Sequence, residues 1–139
     1  MILPIVGCAN NEDYSGIEPK NFALTIKANK DIYNIGEDIL INITLENRSG
    51  ADIKISYYSL VVPRSATGQF PAVAEQSPVM IKKIFKDGET IDITDNLGGY
   101  FSAGKHELYY RAGFYLGWEN TETYIGVSSN TIDFSIIEL

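Results

Sequence analysis

His106 and Cys8 are the only imidazole and the only thiol in this 139-residue chain. A zinc centre of the Cys/His kind takes about three or four such ligands, so none can be assembled. A Ser-His-Asp arrangement would have to use His106, and nothing in its neighbourhood supplies the rest of the constellation. Carboxylates are plentiful, at 18, yet glycoside chemistry wants two of them facing one cleft roughly 5–9 Å apart and no pair is marked out. Asp92 and Asp95 flank Thr94 beside Asn96; their spacing departs from the Asp-x-Asp-x-Asp-Gly calcium loop, which makes a solvated strand end the expectation and a calcium site the weak alternative. Gly98-Gly99 lacks the Lys-Ser/Thr that a phosphate-cradling loop requires. The sequence thus predicts no catalytic residue, no metal and no cofactor.

Binding is better represented. The chain has nine tyrosines, six phenylalanines and one tryptophan, a generous share for a small domain, of which many must be core. On the alternating segment from His106 to Leu116, the residues Leu108, Tyr110, Ala112 and Phe114 share one face, which places Tyr109, Arg111 and Tyr115 on the other. With the first face inward, two rings around a guanidinium stand outward, suited to stacking on a sugar or anchoring a protein, or simply to shielding the sheet. Trp118, followed by Glu119, sits in the last hairpin connection and is expected to cap the core or meet a sugar. The stretch 59–78 carries Pro63, Pro71 and Pro78. Compact domains seldom leave such a length unstructured without a use, and Val61, Val62 and Phe70 are placed to pin it while Arg64 to Gln69 form a presented tip. The competing expectation is an edge-covering segment whose prolines block aggregation.

The formal charge of −7 repels a phosphate backbone, and the one basic concentration, Lys82, Lys83 and Lys86, reads as a solvated strand end. No nucleic acid is expected. The triplets Asn42-Ile43-Thr44 and Asn47-Arg48-Ser49 match a glycosylation pattern fortuitously.

Behind these residues lies a chain that alternates with period two. Phe22, Leu24 and Ile26 form one apolar set, Ile39, Ile41, Ile43 and Leu45 another, and Ile53, Ile55 and Tyr57 follow the Asn47–Gly50 turn. Residues 79–85, 89–95, 106–116 and 130–138 supply four more strands. Asn34-Ile35-Gly36, Asp87-Gly88, Asn96–Gly99 and Ala103-Gly104 punctuate them. Seven short strands with such turns predict an all-β, immunoglobulin-like antiparallel sandwich, without the Cys–Trp–Cys framework of antibody domains.

Three stretches carry a narrower resemblance. Asp31–Ile39 with Ile41–Gly50, Asp87-Gly88-Glu89-Thr90 with Gly104–Leu108, and Ser128–Ile136 resemble the turn-and-strand motifs of bacterial extracytoplasmic Ig-like modules. In sandwiches of this kind a tyrosine often stands where His106 does and ties back to the preceding corner, so the resemblance implies a structural His106. At the N-terminus, Ile5-Val6-Gly7-Cys8 resembles the lipobox of bacterial lipoproteins, which implies a diacylglycerol on Cys8. No Lys or Arg precedes Cys8, and the apolar run is shorter than the about 7–15 residues of a complete signal. The resemblance therefore implies a start upstream of Met1 or a clipped chain, against the plain alternative of an apolar N-terminus with a buried cysteine. Residues 1–8 are then a shortened signal, 9–20 a tether, and 21–139 the sandwich domain. Ala9 permits an outer-membrane position.

The expected function is that of a non-catalytic cell-envelope lipoprotein domain, a protein-interaction or structural module held to the membrane by lipid alone. Its partner would be an envelope protein or a glycan, met by Tyr109, Arg111, Tyr115, Trp118, Arg64 and Phe70, with the chain a monomer. The alternatives are a carbohydrate-binding module and a small β-sandwich proteinase inhibitor that inserts residues 63–71.

Overall fold

The computed structural model of the chain describes residues 14–68, 70, 79–119 and 123–138, which build an all-β sandwich with no α-helix among them. One layer is an antiparallel sheet of β1 (Phe22–Ala28), β3 (Leu40–Asn47) and β7 (Thr90–Asn96), with β3 central. The other runs β2 (Ile32–Asn34), β10 (Ile132–Ile137), β8 (Gly104–Leu116), β4 (Ile53–Tyr57), β6 (Ile81–Phe85), and β5 (Val61–Arg64) and β9 (Tyr124–Ser128) pair with β8 beside this path. By this order β1, β3 and β7 hold the A, B and E places of an immunoglobulin-type sandwich, and β4, β8 and β10 the C, F and G places.

The layers form because alternate residues are apolar. Ile41, Ile43 and Leu45 of β3 are at most 1% exposed, and each fully buried aliphatic side chain contributes about 1.5–3 kcal/mol. They meet Leu108, Tyr110, Ala112 and Phe114 of β8 in one continuous core, where Phe22 sets its ring edge-on to Phe114 at 5.1 Å. Tyr109 and Arg111 are exposed, as alternation requires.

All seven anticipated strands are present, and three more accompany them. β2, β5 and β9 are short, and each is held by a longer neighbour rather than by a pattern of its own. β2 pairs parallel with β10, so the larger sheet is mixed rather than purely antiparallel. β5 tolerates Pro63 because it lies outside the main path of the sheet, paired with β8.

Residues 1–13, with Cys8 and the first part of the expected 9–20 tether, lie outside the described residues. The rest of that stretch is packed: Tyr14 and Ile17 lie against the core, and the Lys54 N–H donates to Tyr14 Oη at 3.0 Å. A one-turn 3-10 segment, Pro19–Asn21, leads into β1. Packing onto the sandwich therefore extends ahead of residue 21, the expected start of the domain, because two apolar side chains reach back onto the core.

Three polar devices join the layers. Asn47, fully buried, donates from Nδ2 to the carbonyls of Ala51 and Phe85; this engagement also removes it as a glycosylation acceptor. Asn130, in the β9–β10 connection, accepts the Ile26 N–H at 2.8 Å and donates to the Ile26 carbonyl at 3.1 Å, so one side-chain amide stands in for a strand along β1. Tyr110 Oη, on β8, donates to Asp95 Oδ2, on β7, at 2.6 Å.

Candidate functional site

β8 positions the residues that face outward from the larger sheet. On its outer face lie Lys105, Glu107, Tyr109, Arg111, Gly113 and Tyr115 in sequence, while β10 runs alongside 104–108 and β9 alongside 111–115. The expected strip of Tyr109, Arg111 and Tyr115 divides into two parts that do different work.

The upper part is a covered trough. Gly113 and Gly126 lie directly opposite each other, leaving no side chains between the strands. Tyr124 folds over Gly113, so that a Cβ there would meet its hydroxyl, and the Arg111 guanidinium lies over Gly126. Tyr115 packs edge-on to Tyr124 at 5.1 Å, and Arg111 Nη1 donates to Ser128 Oγ at 3.1 Å. Aromatic cover of this kind restores the packing that glycine removes from a strand. Arg111 and Tyr115 are thereby engaged in shielding the sheet.

Tyr109 stands apart, 37% exposed, with Arg64 of β5 as its cross-strand neighbour. It closes one end of a half-open groove of about 910 Å³, floored by the outer faces of β8 and β10 and walled by Ser65–Thr67 on one side and by Asp31 and Ile32 on the other. Glu107 and Asp133 are paired directly across the floor, and Lys105 faces Ser135 one step along. Like charges in direct cross-strand register destabilise a sheet. Asp31, Lys105, Glu107 and Asp133 form no ion pair or side-chain hydrogen bond with another described residue. Sequence reasoning missed these four. Their signal was polarity at the outward positions of two strands, and only the register brings them together.

His106 lies beneath the groove wall, 5% exposed. Its Nε2 is 2.7 Å from the Ser102 carbonyl, which can only accept, so the ring donates there; Nδ1 meets Thr67 Oγ1 at 2.7 Å. The ring also packs on Phe101 and Phe134. It ties back to the corner four residues earlier, as the sequence anticipates, and fastens the 65–67 wall as well.

The other anticipated residues are dispersed. Phe70 is half-buried, edge-on to Tyr100 and Phe101, and Gly68 lies flush against Phe101. The tip expected at Arg64 to Gln69 is in part a paired strand and in part a docked wall; Gln69 lies outside the described residues. Of the 63–71 segment that a proteinase inhibitor would insert, Pro63 and Arg64 are paired with β8, Thr67 is bonded to His106, and Gln69 and Pro71 fall outside the described residues. Trp118 donates from Nε1 to the carbonyls of Ile55 and Lys83, with Lys54 Nζ 4.9 Å from its ring centre. It clasps β4 to β6 and has no ring contact with Tyr109 or Tyr115. Asp92 accepts from Thr44 on the outside while Asp95 accepts from Tyr110 inside. The two carboxylates sit on opposite faces of β7, so the calcium alternative has no geometry. Among the described residues no three acids, histidines or cysteines are grouped to hold a metal.

No family model and no curated protein matches the chain. Among solved structures, those of a β-glucosidase from Listeria innocua, in complex with gluconolactone, in complex with glucose, and on its own, align with 83% of this chain at 14% identity, with TM-scores of 0.41, 0.40 and 0.40. The chain spans 16% of that enzyme's length. A likeness at that score bears on neither the site nor its chemistry.

Proposed function

We propose that this chain is a non-catalytic interaction module of the bacterial cell envelope, holding a partner against the outer face of its larger sheet. One observation carries the reading: charged side chains without internal partners are gathered with an exposed ring in a groove built on paired strands. Groups fixed by a sheet and left unsatisfied by their own chain are preorganised for a ligand. His106 supports binding over catalysis, because both ring nitrogens are occupied by the fold. The envelope location and a lipid on Cys8 rest on the lipobox resemblance.

Two measurements test this reading. A photo-crosslinking residue at Tyr109 should capture a partner in cells, whereas one at Thr94, exposed on the opposite sheet, should not; equal capture at both, or capture at neither, would remove the groove as the partner site. Metabolic labelling with a palmitate analogue should mark the full-length gene product and spare its Cys8→Ala variant. Equal labelling of the two would refute the anchor.

A further inference from the structure

We infer that the groove between β8 and β10 takes a saccharide chain, neutral or amino-bearing rather than acidic. The inference rests on the binding-module reading and names its ligand. Tyr109 offers a flat ring at the groove end with no aromatic neighbour among the described residues to cover it, a surface on which the C–H face of a pyranose can lie. Asp31, Glu107 and Asp133 are acceptors only, each with two oxygens and about four lone-pair sites, and none is satisfied within the described chain. A ligand rich in hydroxyl donors answers them. Lys105 adds donors of its own for ring and hydroxyl oxygens.

The spacing of the acids points the same way. No three of them converge to hold a metal; Glu107 and Asp133 lie side by side across the floor and Asp31 stands on the wall, so the acceptors are spread over the groove, which fits a ligand with several hydroxyl donors. A folded protein partner is less suited, because interface cores are depleted in charged residues and built on apolar anchors, whereas the floor here sets Lys105, Glu107 and Asp133 among Tyr109, Thr131 and Ser135. Three carboxylates against one ammonium disfavour uronic or sulfated sugars by simple repulsion. The groove is also preformed: β8 and β10 are paired from Gly104 to Leu108, and the Thr67–His106 bond holds the wall.

Amide-resolved NMR titration of the full chain tests this with oligosaccharides of glucose, N-acetylglucosamine, glucosamine, mannose and xylose, and with oligogalacturonate as the acidic control. At least one neutral or amino series should shift the amides of 105–109 and 131–135, and oligogalacturonate should not. Tyr109→Ala and Glu107→Gln should each weaken that binding about tenfold or more, and Thr94→Ala should leave it unchanged; the amide spectrum of each variant reports whether it folds. The inference is overturned if no sugar binds, if shifts map elsewhere, or if affinity survives both groove substitutions. Should no sugar bind while the Tyr109 crosslinker captures a protein, the saccharide falls and the interaction module stands. Blank results in both remove both.

Discussion

Tyr110 Oη and Asp95 Oδ2 are 2.6 Å apart across the sandwich, the hydroxyl coming from the larger sheet and the carboxylate from the smaller. Burial first, and then the hydrogen bond to Asp95 and its negative charge, push the Tyr110 phenol well above the usual tyrosine range. The proton stays on the phenol, where it serves as the donor. Tyr110→Phe keeps the ring and deletes this donor, and should cost about 1.5–3 kcal/mol in denaturant unfolding, as for a hydrogen bond to a charged group. The same residue shapes the alkaline limb. A phenol raised in the folded state contributes stability that is complete below the unfolded value of about 10 and is lost as pH climbs past it. Wild-type stability should therefore decline above that pH, and the decline should flatten in Tyr110→Phe, leaving a remainder from Tyr33, whose burial raises it too. An unchanged alkaline slope would contradict this assignment.

Asn130→Ala strips both hydrogen bonds from Ile26 and should destabilise the protein by about 1–2 kcal/mol. It also uncovers backbone groups on an edge strand, which invites pairing between molecules. Faster hydrogen exchange at the Ile26 amide and a rise in light scattering are the expected readouts; exchange equal to wild type would show that water replaces the amide at no cost.

Two glycines should respond very differently to a methyl group. At Gly98 a Cβ would lie 2.8 Å from the Glu37 carbonyl oxygen, a backbone atom that cannot step aside, so Gly98→Ala should cost about 1–3 kcal/mol. At Gly113 the obstacle is the hydroxyl end of Tyr124, which can swing into solvent. Gly113→Ala should cost less than about 1 kcal/mol, with a changed near-ultraviolet dichroism as Tyr124 leaves Tyr115. Thermal unfolding of the pair checks the order, and a costlier Gly113→Ala would reverse it.

Thr67→Val removes the partner of His106 Nδ1 and leaves a nearly buried nitrogen unsatisfied, at about 1–3 kcal/mol. The loss should be felt mainly in the wall, so exchange at Ser65–Gly68 should quicken while the amides of β3 keep their protection. Uniform quickening throughout would mean that the bond supports the whole sandwich rather than the groove.

The legible parts of the fold are those in which one strand buries one face. Ile41, Ile43 and Leu45, or Leu108, Tyr110, Ala112 and Phe114, repeat every second residue and are all inside, because period two is the geometry of an extended chain. β2 has a single buried side chain, Tyr33, and β5 has none, only half-buried ones beside an exposed Arg64; strands this short show no period, and Pro63 argued against one. β9 hides behind Gly126. The candidate site was half visible for a related reason. Alternation correctly turns Tyr109, Arg111 and Tyr115 outward, but nothing local says that Gly126 faces Gly113 and draws Tyr124 and Arg111 down. Nor does it say that Asp133 lies opposite Glu107. Register between distant strands is set by packing across the whole sheet.

β8 is paired along one margin with β10 and then β9, and along the other with β5 and β4. A slip of a single residue would exchange its two faces, driving Glu107, Tyr109 and Arg111 into the hydrocarbon interior and breaking four alignments together. The spacing of charges along the outer furrow is thus cast by the oily side of the same strand. Drift in the surface residues can alter what the furrow prefers, but its dimensions are inherited from the interior.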